Sequence, residues 1–260
     1  MSAEPLFRRR DGLVVPQANT VGPWDANALH GGAVAALMTW ALEAIEPDLE
    51  MPYTRVTCEL LRPVPMAPLA VTAQPTRPGK KVMLVEVEVR AEGLLVARAT
   101  GLRIRAADVD LPGGLVEAPD APPPPAAGKA PNLTGWGRGL IQAMELRVVR
   151  GGFLEPGPAT CWFRFPTTLV DEDGPSPLQR VMAAADFGNG LSGILDFTSH
   201  LYINPDLTVY LHRYPRGEWV ALEAVTWVHE HGVGLAESRL WDEEGPIGRS
   251  LQSLLVGRRS

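Results

Sequence analysis

Cysteine is almost missing from this chain: Cys58 and Cys161 are the only two in 260 residues. Two thiols make neither a four-thiolate zinc site nor a disulfide framework. One disulfide, or two reduced thiols in a cytoplasmic protein, both remain open. Long hydrophobic runs are missing too. The most apolar stretch, residues 31–45, contains Glu43 and falls short of the roughly 20 apolar residues that span a bilayer. It predicts a buried helix and no membrane partner. Positive charge is not in excess: 24 Lys and Arg stand against 30 Asp and Glu, for a net charge of −6. That balance excludes a dedicated nucleic-acid binder. The opening MSAEPLFRRRDG carries charge where an export signal needs an apolar core, so a cytoplasmic location is expected. No dinucleotide or phosphate-loop fingerprint occurs. With 45% hydrophobic and 21% charged residues, the composition is that of an ordinary globular protein.

Proline and glycine, by contrast, are plentiful, at 25 and 26 residues, and they cluster. Pro112-Gly113-Gly114 and the run Pro122-Pro123-Pro124-Pro125 fall in one stretch. Proline fixes φ and removes amide donors, so this stretch neither joins a sheet interior nor continues a helix. The division expected is a first unit at 1–107, a linker at 108–138 and a second unit at 139–260.

The two flanks look alike. In the first, an Ala-rich helix at 31–45 precedes alternating segments at 54–61, 69–74, 82–90 and 94–105. Val85, Val87 and Val89 interleave with Glu86, Glu88 and Arg90, the period of a half-buried antiparallel strand. In the second, a helix at 178–195 precedes strands at 206–213, 219–228, 233–242 and 247–256. LLRPVP at 60–65 lines up with LHRYPR at 211–216, so Arg213 follows Arg62 by 151 residues; VARATGLRI lines up with IGRSLQSLL, so Ile247 follows Val96 by 151 as well. One constant offset marks an internal duplication. A single helix cannot cover both faces of a sheet, so the halves are expected to bury their apolar faces by packing together.

His30-Gly31-Gly32 opens the first helix. Glycines let backbone approach a ligand closely, and free amides at a helix start favour negative charge, including the oxyanion formed when a carbonyl is attacked. A helix-capping His30 with glycines for tight packing explains the same residues. Arg77, Lys80 and Lys81 surround Pro78-Gly79 between two strands, as a docking point for phosphates or as a solvated turn. His229-Glu230-His231 has the residue types of a metal site but no third ligand cluster, so no metal and no cofactor is expected.

WDANALHGGAVAALMTWALEA, LLRPVP, RPGKKVMLVEVEV and LLVARATG together resemble the first half of the type II acyl-CoA thioesterase family. PDLTVYLHR, EWVALEA and GVGLAESRLWDEEGPIGRSLQSLL resemble its second half. The resemblance implies an α+β double hotdog, in which a long helix is wrapped by a curved antiparallel sheet, twice per chain. It also implies hydrolysis of acyl-CoA to free acid and coenzyme A. Two other readings stay open: another hotdog enzyme acting on acyl-CoA (a dehydratase or hydratase), or a non-catalytic acyl-CoA-binding protein. A homodimer or higher homo-oligomer is the expected assembly.

In that family an Asp, a Thr or Ser, and a Gln of the second half activate water. The resemblance assigns these roles to Asp206, to Thr226 (with Thr208 and Ser250 as substitutes) and to Gln252. His30, Gly31, Gly32, Lys80 and Lys81 are the substrate-binding candidates. Asp186, in AAADFGNG, is the remaining one. Buried in mid-helix it is costly unless paired, so it is either a second catalytic carboxylate or the partner of a backbone group or cation. At the 151 offset Asp206 and Gln252 face Arg55 and Gly101; at a helix offset of 147, Asp186 faces Thr39 and Gly31-Gly32 face Leu178-Gln179. The halves have diverged, which predicts one composite site per chain. Leu37, Met38, Trp40, Met182 and Phe187 are the expected walls of an acyl tunnel.

Overall fold

The protein was analysed as a computed structural model, which describes residues 4–113, 119–133, 139–171 and 174–259. In chain order the elements are β1 (Phe7–Arg10), β2 (Leu13–Pro16), α1 (Gly31–Glu43), β3 (Tyr53–Leu60), β4 (Leu69–Arg77), β5 (Val82–Ala91), β6 (Leu94–Ile104), β7 (Glu145–Gly152), β8 (Glu155–Arg164), α2 (Pro177–Ala185), α3 (Gly188–Leu191), β9 (His200–Ile203), β10 (Asp206–Leu211), β11 (Trp219–His229), β12 (Val233–Asp242) and β13 (Gly245–Arg258). All the strands join one antiparallel sheet in the order β1-β2-β4-β5-β6-β3-β10-β13-β12-β11-β8-β7, with β9 against β13.

The two halves therefore meet edge to edge, through β3 and β10, and not face to face as the sequence suggested. Thr57 stands opposite Thr208, with Arg55 opposite Tyr210 and Glu59 opposite Asp206. The Thr57 and Thr208 hydroxyls lie 3.2 Å apart across a separation of 151 residues, which is the repeat offset itself. The duplication is thus a pseudo-two-fold axis through that pair. Edge pairing satisfies the backbone groups of two strands that would otherwise be open.

The helices fill the concave side. α1 packs on β3 to β6, and α2 and α3 pack on the second half's strands. From Gly32 to Leu42 every α1 residue except Trp40 is buried, as expected of a helix apolar all round. α1 and α2 run against each other, and their Ala and Gly faces allow close approach. Gly32 shows how close: a Cβ there would lie 2.6 Å from the Ala183 carbonyl oxygen.

Two expectations change. The second helix was read as continuous over 178–195. It instead ends at Ala185, turns through Asp186 and Phe187, and resumes only as the short α3. Gly188 and Gly190 disfavour helix, and the Asp186 carbonyl accepts from the Gln252 side chain at 3.2 Å. The described part of the linker is also no free tether. Trp162 Nε1 donates to Pro123 O at 2.7 Å, and Lys129 bridges to Val148 of β7. The linker's stretches 114–118 and 134–138 lie outside the described residues. Cys58 and Cys161 are buried and free.

The far ends of the two helices are tied by Glu43. Its carboxylate accepts from Ser176 Oγ at 2.8 Å and from Gln179 Nε2 at 2.6 Å, while Ser176 and Gln179 form the capping box of α2. Burial pushes the Glu43 carboxyl above the usual carboxylate range, against the pull of Ser176, Gln179 and the Arg103 charge. A carboxyl raised in the folded state contributes full stability below its unfolded value and loses it as pH rises through the folded one. Glu43→Gln keeps the hydrogen-bonding oxygen without the charge. The melting temperature of the variant relative to wild type is expected to rise between pH 5 and pH 8, as read by thermal denaturation. A difference that stays constant across that range contradicts the assignment.

Candidate active site

The start of α1 and the end of α2 meet on the wall of a cavity of about 470 Å³. His30 is the N-cap of α1, and its Nδ1 accepts from Gly32 N at 3.0 Å. The Asp186 carboxylate sits directly above, with Oδ2 2.9 Å from His30 Nδ1. Asn204 Nδ2 donates to Oδ1 at 2.8 Å, and Gln252 Nε2 approaches the same oxygen at 3.5 Å. Asp186 is 4% exposed. A carboxylate this deeply buried requires partners, and the sequence supplies three.

Each partner is itself held. Asn189 N donates to Gln252 Oε1 at 3.1 Å, which turns the amide nitrogen of Gln252 toward Asp186. Asn189 Nδ2 in turn donates to Tyr202 O at 3.0 Å. Asn204 lies between β9 and β10, where Pro205 O accepts from Leu60 N of the first half at 2.7 Å. The His30 ring stacks on Phe187 with 4.5 Å between centroids.

Gly31 explains why glycine opens the helix. A Cβ there would lie 2.7 Å from both carboxylate oxygens of Asp186, so only a bare backbone lets the acid rest against the first turn. As the first residue of α1, Gly31 has an amide with no intrahelical acceptor. Carboxylate and amide thus share one side of the cavity. The remaining walls are mostly apolar and include Val34, Leu60, Val64, Ile141, Phe153 and Phe187. Trp24, Phe197 and Tyr202 form an aromatic cluster on the lining, with Trp24 4.7 Å from Phe197 and 5.2 Å from Tyr202. The Arg259 guanidinium lies 4.2 Å over Phe197, and Arg62 also lines the space.

His30, Gly31, Asp186 and Gln252 are therefore brought together, while other candidates lie elsewhere. The Asp206 carboxylate accepts from Ser253 N at 2.8 Å on the sheet and is absent from the cavity lining. It is the half-buried first residue of β10. Thr226 is buried on β11 and shares a hydrogen bond of 2.8 Å with Ser192 of the turn after α3; Thr208 bonds Thr57 on the pseudo-two-fold axis. Ser250 is buried on β13 but does not line the cavity. Lys80 and Lys81 are exposed in the β4–β5 turn, outside the lining. Of the expected tunnel walls only Phe187 lines the cavity, because Leu37, Met38 and Met182 point into the helix–sheet core. His229 and His231 stand 4.8 Å apart on the β11–β12 turn, and the described residues hold no cluster of three or more metal-ligating side chains. Asn204 and Asn189 escaped the sequence reading. Asn204-Pro205 reads as an ordinary turn, and only the fold brings it over Asp186.

Two helix-and-sheet units fused through one continuous sheet, with a cavity at the junction of their helices, define a double hotdog. The chain belongs to the acyl-CoA thioesterase family: residues 20–104 match its N-terminal domain and residues 116–256 its C-terminal domain. It is a thioester hydrolase acting on acyl-CoA. No curated protein matches the chain. Similar solved structures include a hot dog fold protein of unknown function from Alicyclobacillus acidocaldarius (18% identity, TM-score 0.74, covering 98% of this chain and 96% of that one). Another is an acyl-CoA thioesterase II from Mycobacterium marinum (16% identity, TM-score 0.66, 99% and 95%). A third is the tesB protein of Mycobacterium avium subspecies paratuberculosis (16% identity, TM-score 0.67, 97% and 96%). At these identities the structural likeness speaks for the fold.

Gly31→Ala drives a methyl group into Asp186 without disturbing the apolar core. Displacing a reacting group by about 1 Å costs on the order of 100-fold in rate. A fall of that size in kcat/KM for acyl-CoA is expected, with an unchanged circular dichroism spectrum. Full activity in this variant means the Asp186–Gly31 contact is not used.

Proposed function

We propose that the chain hydrolyses acyl-CoA at one composite site, with Asp186 as the general base. The thioester carbonyl oxygen lies at the Gly31 amide, and a water stands between the carbonyl carbon and Asp186. As the water oxygen bonds to carbon, its proton passes to the carboxylate and the carbonyl electron pair moves onto oxygen, where the helix-start amide stabilises it. Collapse of the tetrahedral adduct breaks the C–S bond and expels the coenzyme A thiolate, which takes the proton from Asp186 to leave as the thiol and restores the carboxylate. Asn204 and Gln252 hold the carboxylate in place through hydrogen bonds to Oδ1. The observation that carries this reading is the buried Asp186 carboxylate packed over Gly31 on the wall of an apolar cavity.

The acyl chain occupies the apolar walls, and the arginines at the aromatic side, Arg62 and Arg259, are better placed for the coenzyme's phosphates than Lys80 and Lys81. Guanidinium groups suit phosphate recognition. A hydratase or dehydratase reading is disfavoured by the same geometry. His30 does have an acidic partner, but an acid and a base only 2.9 Å apart leave no room for a Cα–Cβ bond between them. The protein works in acyl-CoA and lipid metabolism in the cytoplasm, with two chains associated through the outer faces of β10 to β13, where Tyr210, Trp227, Leu235 and Leu251 are exposed. Among the described residues no helix is long and apolar enough to cross a membrane.

Asp186→Asn keeps the shape and removes the base, and a loss of about 10³-fold in thiol release is expected. Asn204→Ala is expected to cost roughly 10- to 100-fold, since it leaves a buried carboxylate oxygen with one donor fewer. Asp206→Asn is expected to stay within about threefold of wild type. Inactivation by Asp206→Asn with full turnover in Asp186→Asn overturns the reading, and saturable binding without thiol release across acyl-CoAs of increasing length favours a binding protein. For the assembly, Trp227→Glu is expected to shift the sedimentation coefficient from dimer to monomer; an unchanged value contradicts association through that face.

A further inference from the structure

We infer that His30 and Asp186 hold one proton between them and act as a single acid–base unit, with His30 the positioning residue that sets the charge on the base. This rests on the reading of Asp186 given above and goes beyond it, since a lone carboxylate would serve the same reaction.

The argument is one of hydrogen-bond capacity. His30 Nδ1 lies 3.0 Å from Gly32 N and 2.9 Å from Asp186 Oδ2. A ring nitrogen offers either one lone pair or one proton, never both. If Nδ1 accepts from Gly32, its lone pair faces Oδ2, and the contact is repulsive unless Asp186 carries a proton there. If Nδ1 is protonated, it donates to an ionised Asp186 and Gly32 loses its acceptor. Either way a proton sits in the Nδ1–Oδ2 contact. The other oxygen offers no alternative seat, because Oδ1 already faces two N–H donors, Asn204 Nδ2 and Gln252 Nε2.

The fold fixes this pair from both sides. His30 N donates to Thr20 O at 2.8 Å, and the ring is stacked on Phe187, the residue next to Asp186. Other ionisable groups surround the pair. Asp25 and Arg62 line the cavity, and Arg62 donates to Leu95 O. Tyr202 lines it as well, and burial pushes its hydroxyl up. Behind Asp186, burial and the charges of Asp186 and Asp206 keep Cys58 a neutral thiol, while Asp206 is bonded to Ser253 N. Asp186 takes a proton from water only in the state with the shared proton on Nδ1. Gain of a second proton by the pair removes that capacity. Imidazole is the side-chain type that changes charge between about pH 5 and 8, a response that a carboxylate without a ring partner lacks.

The test separates proton sharing from capping. Asn is among the best N-cap residues, so His30→Asn retains an acceptor for Gly32 N and lacks a titrating ring. The wild type is expected to show an acid-side step in kcat/KM between pH 5 and 8. In His30→Asn that step is expected to be displaced, because the titrating ring is gone from the pair. The melting temperature and KM are expected to change little, and the rate at pH 7 to fall about tenfold or more. In parallel, the ¹⁵N resonances of the His30 ring are expected to shift on Asp186→Asn. A His30→Asn enzyme with the wild-type profile and rate, or ring resonances indifferent to Asp186→Asn, overturns the inference and leaves His30 a helix cap. Intact turnover in Asp186→Asn instead overturns the assignment of the base itself, so the two failures are distinguishable.

Discussion

Everything at the site depends on how closely α1 and α2 approach. Gly31, Gly32 and the run Ala183 to Ala185 remove side chains from the contact, so the start of one helix lies against the end of the other. A β-carbon at Gly31 or Gly32 would collide with the opposing helix region at 2.6–2.7 Å. The approach costs little in packing, because both helices are buried in the apolar concavity of the sheet. Its result is electrostatic: the positive end of α1 faces a buried carboxylate from the other half, and that field is fixed before any substrate arrives.

The pseudo-two-fold axis gives each helix pair two such junctions, and they have diverged. At one end His30 meets Asp186. At the other, Glu43 accepts from the side chains of Ser176 and Gln179, the two residues that cap α2. Thr39, the counterpart of Asp186, turns its hydroxyl back onto Ala35 O of its own helix at 2.8 Å. Gly101, the counterpart of Gln252, lies under the ring of Tyr53, whose hydroxyl donates to Leu42 O at 2.6 Å and whose face carries the Arg103 guanidinium at 4.0 Å. The second junction is filled with structural side chains, and only the first has the cavity on which the proposed chemistry rests. Duplication within one chain allows this division, since each half is free to change alone.

Much of the fold is legible in the sequence, because it is carried by local periodicity. The alternation of Val85, Val87 and Val89 with charged residues gives β5, and β12 spans residues 233–242 as its pattern predicts. The 151-residue offset anticipates the axis at Thr57 and Thr208. Strands β1, β2, β7, β8 and β9 are not legible: β1, β2 and β9 have four residues each, and β7 and β8 are interrupted by Gly151, Gly152, Pro156, Gly157 and Pro158. The break after Ala185 depends on a hydrogen bond from Gln252, some 66 residues away. The site is less legible for the same reason. Gln252 is reached through the resemblance and Gly31 through its motif, yet the convergence of Asn204, His30 and Gln252 on Asp186 exists only in the folded chain. Asp206 has the right residue type in a plausible pattern, but its carboxylate turns to the Ser253 amide. Strand geometry decides such a matter, and composition carries no trace of it.

In the proposed reaction, substrate lies between the first amide of α1 and the carboxylate of the opposite half. The most direct measurement is a crystal structure with an acyl-CoA analogue whose thioester sulfur is set off by a methylene, giving an unreactive ketone. The ketone oxygen is expected within about 3 Å of Gly31 N, with a water between the carbonyl carbon and Asp186. An analogue bound with its carbonyl beside Asp206, or in the groove at Tyr53 and Arg103, would contradict it.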